Sequence, residues 1–395
     1  MKIVSTTDEL SSVCASIAKH SFVTVDTEFL RESTFWPELC LLQLACPGEA
    51  YIVDVLADGI RLDPFFELMA DESVVKVFHA ARQDIEIIHH LGGLIPHPVF
   101  DTQVAAMVCG YGDSISYDQL VYRITSQRID KSSRFTDWKR RPLTTKQLDY
   151  ALADVTHLRD VYQSIKANLE EQHRAHWVDE EMAILTSPET YDMPPEIAWQ
   201  RLKMRVRRPR EFAMLKELAK WREETARTKN VPRGRIIKDD AIYEICAHPP
   251  KNLNDLTNLR GLSRGFDKGR FGEELLGVVS RVMQMPDKEL PSLPPTKHAP
   301  EGTGAATEML KVLLKVIVEK HGVAAKVIAT VDELEAIAAD DHADVAALKG
   351  WRRELFGEAA LKLKNGRLAL GFDGKAVRLI EVDASKEESI RDAAE

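Results

Sequence analysis

The first clear pattern in the chain is an alternation of apolar and polar residues at positions 22–29, which read FVTVDTEF. A period of two residues is typical of a half-buried β-strand. Val23 and Val25 then share one face of the strand, and Asp26 and Glu28 share the other. The pattern therefore predicts a strand from which two carboxylates project together.

Two more strand-like runs follow, Leu39–Ala45 and Ala50–Val55, with the turn dipeptide Pro47-Gly48 between them. We expect the three strands to form an antiparallel meander. The pattern then becomes mainly helical, with helical stretches at 63–70, 81–90, 102–109 and 144–169 and one β-branched run at 74–78. This succession predicts an α/β domain at residues 1–170, in which helices pack on a mixed sheet.

Beyond residue 170 the pattern is mostly helical. A helical connector is predicted at 171–199, interrupted by Met193-Pro194-Pro195, and a small helical module at 200–285. Residues 286–304 are rich in Pro, Lys and polar residues and indicate a linker. A second helical module at 305–382 ends in a predicted hairpin around Asp373-Gly374, and 383–395 form a polar tail.

The composition is that of a globular protein of several domains: 395 residues, 44% hydrophobic and 29% charged. Its apolar stretches are far shorter than the ~18 to 20 residues that cross a bilayer, and the N-terminus lacks the features of a secretory signal. We therefore expect no membrane span and a cytoplasmic location. Five scattered cysteines without a C-x-x-C pair argue against a disulfide framework and a structural zinc site.

The charge is unevenly distributed along the chain. The formal net charge is −9, which by itself disfavours a nucleic-acid partner. Between Arg201 and Arg235, however, 13 Lys and Arg residues face only 4 Asp and Glu residues. Such local asymmetry is compatible with a surface that binds a polyanion.

Four carboxylates and a tyrosine lie at sequence spacings that suit a metal site. Asp84 follows the run at 74–78, at the start of a predicted helix, and Asp154 lies four residues after Tyr150, on the same face of another. Two carboxylates ~4 Å apart repel by about 4 kcal/mol at an effective dielectric near 20, a cost that divalent cations remove. Hard oxygen ligands from three segments favour Mg²⁺ or Mn²⁺ over zinc.

Such a site suits phosphodiester hydrolysis. With two cations ~3.5–4 Å apart, one lowers the pKa of a bound water and the other stabilises the departing 3′ oxygen. Tyr150 is expected to orient that water, because a phenol with an ordinary pKa of about 10 is a poor base. Each motif alone occurs often by chance, but together they follow the order that a metal-dependent nuclease requires. The predicted catalytic residues are Asp26, Glu28, Asp84, Tyr150 and Asp154, with the four acids as metal ligands.

These motifs carry a family resemblance. The sequences DTEF at 26–29, FHAARQD at 78–84 and YALAD at 150–154, with DKSSRFTDWKRRPL at 130–143, resemble the DEDD exonuclease superfamily in its tyrosine subtype, and most closely the ribonuclease D family. The resemblance covers residues 1 to about 165. It implies an RNase H-like fold, 3′→5′ hydrolysis that releases nucleoside 5′-monophosphates, and RNA with a free 3′ end as substrate, notably tRNA precursors.

Residues 200–285 resemble an HRDC domain, the helical nucleic-acid-binding module shared with RecQ-type helicases. The family arrangement implies a second, divergent copy at 305–382, where the segment 348–355 fits but the hairpin departs from an all-helical module. The expected fold is thus an RNase H-like, mixed-sheet α/β exonuclease domain followed by two small, mostly α-helical HRDC-like domains.

Further residues are candidates for contact with the substrate. Aromatic side chains stack on any base, guanidinium groups bind phosphates, and a histidine near the carboxylates can contact a phosphate. Core packing is the alternative for the aromatic residues and the glutamine, and an ordinary solvated helix start for the arginines after position 200. The candidates are Phe29, Gln43, His79, Arg134, Trp138, Arg205, Arg207 and Arg208.

Several alternatives remain open from the sequence alone. Asp101 precedes a predicted helix and is interpreted as its N-cap rather than as a fifth acid of the site. A DNA 3′→5′ exonuclease would use the same carboxylates, because only contact with the 2′-hydroxyl separates the two sugars. A non-catalytic RNA-binding protein with a decayed nuclease domain has no reason to keep all five residues. Gly366 and Gly371 have P-loop spacing without the required Lys and Ser/Thr, so no ATP partner is expected.

Overall fold

The alternating segment at 22–29 forms the middle of a six-stranded mixed sheet in the computed structural model, which describes residues 2–259, 261–262, 265–266, 269–294 and 303–382. The sheet order is β1-β4-β3-β2-β5-β6. β2, β3 and β4 form the predicted antiparallel meander, whereas β1 pairs in parallel with β4, and β5 and β6 continue in parallel from β2. The strands are β1 Lys2–Val4, β2 Phe22–Leu30, β3 Glu38–Cys46, β4 Glu49–Val53, β5 Val75–Phe78 and β6 Val99–Asp101.

Helices cover the sheet and agree with the predicted helical stretches. They are α1 Thr7–Ile17, α2 Asp63–Ala70, α3 Arg82–Gly92, α4 Thr102–Val108, α5 Tyr117–Thr125 and α6 Thr145–Glu171. Four elements, β1, β6, α1 and α5, were not predicted from the sequence; β1 and β6 have three residues each and are too short to show an alternation. The apolar faces of these elements meet in one core that includes Ile17, Val25, Leu44 and Phe78.

The chain after α6 continues as a connector and then as a group of packed helices. α7 Ala175–Leu185 belongs to the connector, which continues through single helical turns at Pro188–Thr190 and Pro195–Arg201. A second core, with Leu215, Leu218, Ile245 and Leu275, joins the helices after residue 200. These helices are α8 Pro209–Lys229, α9 Arg233–Ile236, α10 Asp239–Ala247, α11 Leu253–Leu256 and α12 Arg270–Gln284.

The last part of the chain combines helices with a hairpin, as predicted. The helices are α13 Thr303–His321, α14 Ala325–Ile328, α15 Val331–Ala339, α16 Gly350–Arg352 and α17 Glu358–Lys364, and the hairpin joins β7 Leu368–Phe372 to β8 Val377–Glu381. The domain boundaries themselves stay predictions. The tail at 383–395 and part of the linker, 295–302, lie outside the described residues.

Both helical parts pack directly against the sheet domain. The backbone N–H groups of Phe35 and Trp36, in the loop after β2, donate to Asn230 Oδ1 at 3.1 Å each. On the other side, the backbone N–H of Ala324 donates to the carbonyl oxygen of Met107 on α4 at 2.8 Å, and the indole of Trp351 stacks on that of Trp177 in the connector with 4.4 Å between ring centroids. Among the described residues, no helix is both long and apolar enough to cross a membrane.

Candidate active site

Three of the predicted acids converge on the exposed end of β2. Carboxylate oxygens of Asp26, Glu28 and Asp154 all lie within 4.8 Å of one another. Asp26 and Glu28 project from one face of β2, and the pairing of β2 with β3 shifts register between Glu28 and Phe29. A bulge of this kind bends a strand and redirects its side chains. It turns both Glu28 and Phe29 toward the same cavity.

α6 is fixed on the sheet by hydrogen bonds that set the position of Tyr150 and Asp154. A capping box between Thr144 and Gln147 starts the helix. The buried Thr24 hydroxyl on β2 lies 2.8 Å from the carbonyl oxygen of Val155, to which it donates. Because Asp154 precedes Val155, this bond holds the acid opposite Asp26.

Asp84 approaches the site from the first turn of α3. It is 7% exposed, and the hydroxyl of Thr27 donates to its carboxylate. The loop before α3 is held by Asp101, whose side chain accepts from the N–H groups of Ala80 and Ala81 and also caps α4. The interpretation of Asp101 as an N-cap is confirmed, and the same residue positions the start of α3.

Burial and mutual repulsion make the carboxylates hard to ionise together. Burial, and then the charge of Asp154, raise the pKa of Asp26 well above its ordinary value, and burial does the same for Asp84. Burial and the neighbouring acids raise the pKa of Glu28 to about 10. Burial raises the pKa of Asp154 to about 7, although the Tyr150 hydroxyl donates to it and Arg134 opposes the shift.

The donor set fits divalent cations. Clustered carboxylate oxygens of high pKa in an open cavity gain most from a multivalent positive charge. Arg134 is the cation that lowers the pKa of both Glu28 and Asp154, but its side chain is exposed and cannot neutralise four acids. Asp26, Glu28, Asp84 and Asp154 would hold the cations, with oxygen ligands that suit Mg²⁺ or Mn²⁺.

The four acids line a cavity of about 500 Å³. Two other residues of its lining were not among the candidates from the sequence. Phe135 lies at this cavity and is 90% exposed, with the Arg134 guanidinium 5.1 Å from its ring centroid. Tyr117 is buried beside the acids and donates to the carbonyl oxygen of Ala153 at 3.0 Å. Phe135 lies in the segment 130–143 that carries the family resemblance, but its spacing does not mark it as a site residue, and Tyr117 belongs to none of the quoted motifs. The fold brings both to the site.

Two predicted substrate contacts are wrong. Trp138 is 2% exposed and packs in a core with Cys40, Leu148 and Ala151, 6.0 Å from the ring of Tyr150. It supports Tyr150 from behind and cannot stack on a base. Gln43 is fully buried on β3 opposite Asp26, so it has no surface to offer to RNA.

The other candidates divide into two groups. Phe29, His79 and Arg134 line the cavity. Both ring nitrogens of His79 already lie at hydrogen-bond distance from Thr102 Oγ1 and the carbonyl oxygen of Ile115, at 3.0 and 3.2 Å, so a phosphate would have to displace one of them. The remaining arginines, named here the basic segment, do not line the cavity and are exposed in an extended stretch before α8, not on a helix; they are Arg205, Arg207 and Arg208.

Comparison with known families agrees with this geometry. A family model described as "3'-5' exonuclease" matches residues 1–170, and a model described as "HRDC domain" matches residues 211–279. A ribonuclease D from Nitrobacter hamburgensis is 57% identical over 96% of this chain and 99% of the relative. The chain belongs to the ribonuclease D family. A family member from Bartonella henselae is 49% identical over 93% of this chain and 91% of its own.

Solved structures show the same architecture. The crystal structure of Escherichia coli RNase D matches with a TM-score of 0.81 and 26% identity, covering 92% of this chain and 98% of that one. A protein from Bifidobacterium adolescentis, at 19% identity and a TM-score of 0.69, shares the fold over 93% of this chain. The RNase H-like exonuclease fold with an HRDC domain is thereby confirmed.

Membership of the family also gives the activity. The chain is a 3′→5′ exoribonuclease, a divalent-metal-dependent hydrolase that acts on RNA with a free 3′ end. One HRDC domain is matched, and the second, divergent copy at 305–382 stays a prediction.

Proposed function

We propose that Asp26, Glu28, Asp84, Tyr150 and Asp154 form the catalytic centre, and that it hydrolyses the last phosphodiester of an RNA chain to release a nucleoside 5′-monophosphate. The observation that carries the proposal is the convergence of Asp26, Glu28 and Asp154 oxygens within 4.8 Å. Three clustered acids of raised pKa in an open cavity cost stability when they are ionised, and a bound cation returns that cost.

The protein groups have distinct tasks in this proposal. Two divalent cations, held by the four acids, would supply an activated water and charge stabilisation at the departing 3′ oxygen. Tyr150 is bonded to Asp154, and burial, with the nearby acids, raises its pKa, so it stays protonated and orients rather than deprotonates. Arg134 balances charge at the cavity rim.

The cavity surface suggests how the terminal nucleotides are held. Phe135, at 90% exposure, has no packing role that would explain a large aromatic ring in water. We place it, with Phe29, as a stacking surface for bases, each stack contributing about 1–3 kcal/mol. The basic segment is placed on the upstream phosphates, where exposed arginines release counterions from the RNA.

The proposed physiological substrates are structured RNAs, with tRNA precursors foremost, in the cytoplasm. The relative from Escherichia coli is described as "an exoribonuclease involved in structured RNA processing". The appended HRDC domain supports the same substrate class, because a second binding surface favours RNAs that extend well beyond the active site.

One experiment tests the site and its substrate. Purified protein is incubated with 5′-labelled RNA and DNA of matched sequence and with a tRNA precursor carrying a 3′ extension, in Mg²⁺, in Mn²⁺ or in chelator. We expect a ladder of 3′-shortened RNA that disappears in chelator and in Asp26→Asn. Cleavage that persists in chelator, or equal trimming by Asp26→Asn, would contradict the proposed site. Faster trimming of DNA than RNA would move the proposal to the DNA exonuclease alternative.

A further inference from the structure

A second cavity, of about 200 Å³, lies between the sheet domain and the first helical module. It is separate from the catalytic cavity and is named here the seam cavity. Arginines dominate its lining: Arg31, Arg82, Arg201, Arg227 and Arg233. Two of them come from the sheet domain, one from the connector and two from α8 and α9.

The carboxylates near the seam cavity do not balance these arginines. Glu86 binds Arg31 through two hydrogen bonds of 2.6 and 2.8 Å. The buried Glu223 binds both Arg227, at 2.9 Å, and Arg233, at 2.7 Å. Five arginines against two carboxylates leave an excess of three positive charges in a small space.

Arg82 and Arg201 are the two arginines of the seam cavity for which the described residues provide no carboxylate within salt-bridge distance. The Nε of Arg201 lies 3.1 Å from the sulfur of Met193. Desolvation by the surrounding residues, and then the charge of Arg233, lower the pKa of Arg201, while the charge of Glu223 acts in the opposite direction. A guanidinium held against other guanidinium groups offers free donors to an anion.

Residues of the seam cavity follow or neighbour residues of the catalytic centre on β2 and α3. Glu28 lines the catalytic cavity, and Arg31, three residues further along the chain, lines the seam. Asp84 and Arg82 both belong to the first turn of α3, where residues two apart point to nearly opposite sides of a helix. The N-terminus of α3 therefore separates the two cavities, which places the seam beside the path of a strand whose 3′ end occupies the centre.

We propose that the seam cavity binds a backbone phosphate of the RNA substrate, upstream of the scissile bond, through Arg201 and Arg82. A phosphodiester is the anion that every RNA presents, and planar guanidinium groups bind it with two parallel hydrogen bonds. The inference rests on the proposed function, because the strand must enter with its 3′ end at the carboxylates. It assigns to the domain junction a role in holding substrate as well as in joining domains.

The test compares a short with a long substrate. A dinucleotide has a single phosphodiester, the scissile one, so it leaves no phosphate for the seam, whereas a 12-nucleotide RNA does. For Arg201→Gln we expect the KM of the 12-mer to rise about tenfold relative to that of the dinucleotide. The slope of log kcat/KM against log salt should fall by about 0.7, the value for one phosphate contact on a single strand.

Control variants separate this contact from general effects. Arg61→Gln removes an exposed arginine that lines neither cavity and should leave both substrates and the salt slope unchanged. Arg201→Lys keeps the charge without the planar fork and should fall between the wild type and Arg201→Gln. If Arg201→Gln does not fold, the same two substrates are compared in Arg201→Lys.

The outcomes distinguish the inference from the function on which it rests. If the wild type trims RNA from the 3′ end but Arg201→Gln keeps the KM of the 12-mer and the salt slope, the seam does not bind RNA. Equal losses on both substrates would also overturn it. If the wild type shows no metal-dependent trimming, the proposed function fails instead. If added mononucleotide inhibits the wild type on both substrates but not Arg201→Gln, the seam binds product rather than the chain.

Discussion

The substitution Glu28→Gln tests how much the acidic centre lowers the stability of the metal-free protein. Glu28 is largely buried, and burial with the charges of Asp26, Asp154 and Asp84 raises its pKa from 4.5 to about 10. The unfolded chain loses this proton near pH 4.5, whereas the folded protein keeps it up to about pH 10. Between these values the folded state binds more protons, so its stability falls as the pH rises.

The magnitude follows from the same shift. One pKa unit corresponds to about 1.4 kcal/mol, so at pH 7, 2.5 units above the unfolded value of 4.5, metal-free Glu28 lowers the free energy of unfolding by at most about 3.5 kcal/mol. Glutamine has a similar shape and no proton to gain. In chelator we expect Glu28→Gln to be the more stable protein, by a margin that grows by about 1.4 kcal/mol per pH unit from pH 5 to pH 8.

Urea denaturation in chelator at pH 5, 6, 7 and 8 measures this margin. Glu32→Gln, an exposed acid in the loop after β2, is the matched control and should show no such pH dependence. At pH 7, Mn²⁺ at 1,000 times its Kd should reverse the order, since such a ligand stabilises the wild type by about 4.1 kcal/mol, more than the margin in chelator. If the free energies of unfolding of Glu28→Gln and wild type change with pH in parallel, or if Glu28→Gln is the less stable protein in chelator, Glu28 is not destabilising the metal-free centre and the reasoning is refuted.

Three further predictions test how the site is held and how it binds. Phe135→Ala should raise the KM for RNA about 5- to 150-fold with little change in thermal stability, because the ring stacks on a base rather than on the protein; a loss of Tm with unchanged KM would indicate a packing role. Thr24→Val should lower kcat more than it raises KM and cost about 1 kcal/mol in urea denaturation, because the carbonyl of Val155 loses the hydrogen bond that ties α6 to β2; an unchanged kcat would show that this bond does not position Asp154. Changing the three arginines of the basic segment to glutamine should weaken binding of structured RNA and reduce its salt slope by up to about 2, measured by fluorescence anisotropy, while cleavage of a dinucleotide serves as the reference; equal losses on both substrates would contradict a role in upstream binding.

Spacing along the chain already indicates which acids come together at the proposed centre. Asp26 and Glu28 share a strand face because the side-chain period of a strand is two, and Tyr150 and Asp154 share a helix face because they are four residues apart. These are local geometries, so they are visible without the fold. The meander of β2 to β4 and the hairpin at Asp373-Gly374 were predictable for the same reason.

Which other residues are exposed at the catalytic cavity depends on the tertiary packing. Trp138 and Phe135 lie three residues apart in one segment, yet one is buried behind Tyr150 and the other is 90% exposed at the cavity. Flanking charges made Trp138 look exposed, but a loop has no fixed period from which burial can be read. Gln43 shows the same limit, because its burial depends on α6 covering β3.

The seam cavity is a feature that the spacing of residues along the chain could not predict. Its arginines are spread from position 31 to position 233 and come from the sheet domain, the connector and the helical module. Spacing along the chain reports only neighbours on one strand or helix, whereas this cluster exists because the loop after β2 docks on Asn230 and brings three separate segments together. Local periodicity predicts the cluster of acids, whereas the packing of domains creates the positive surface beside it.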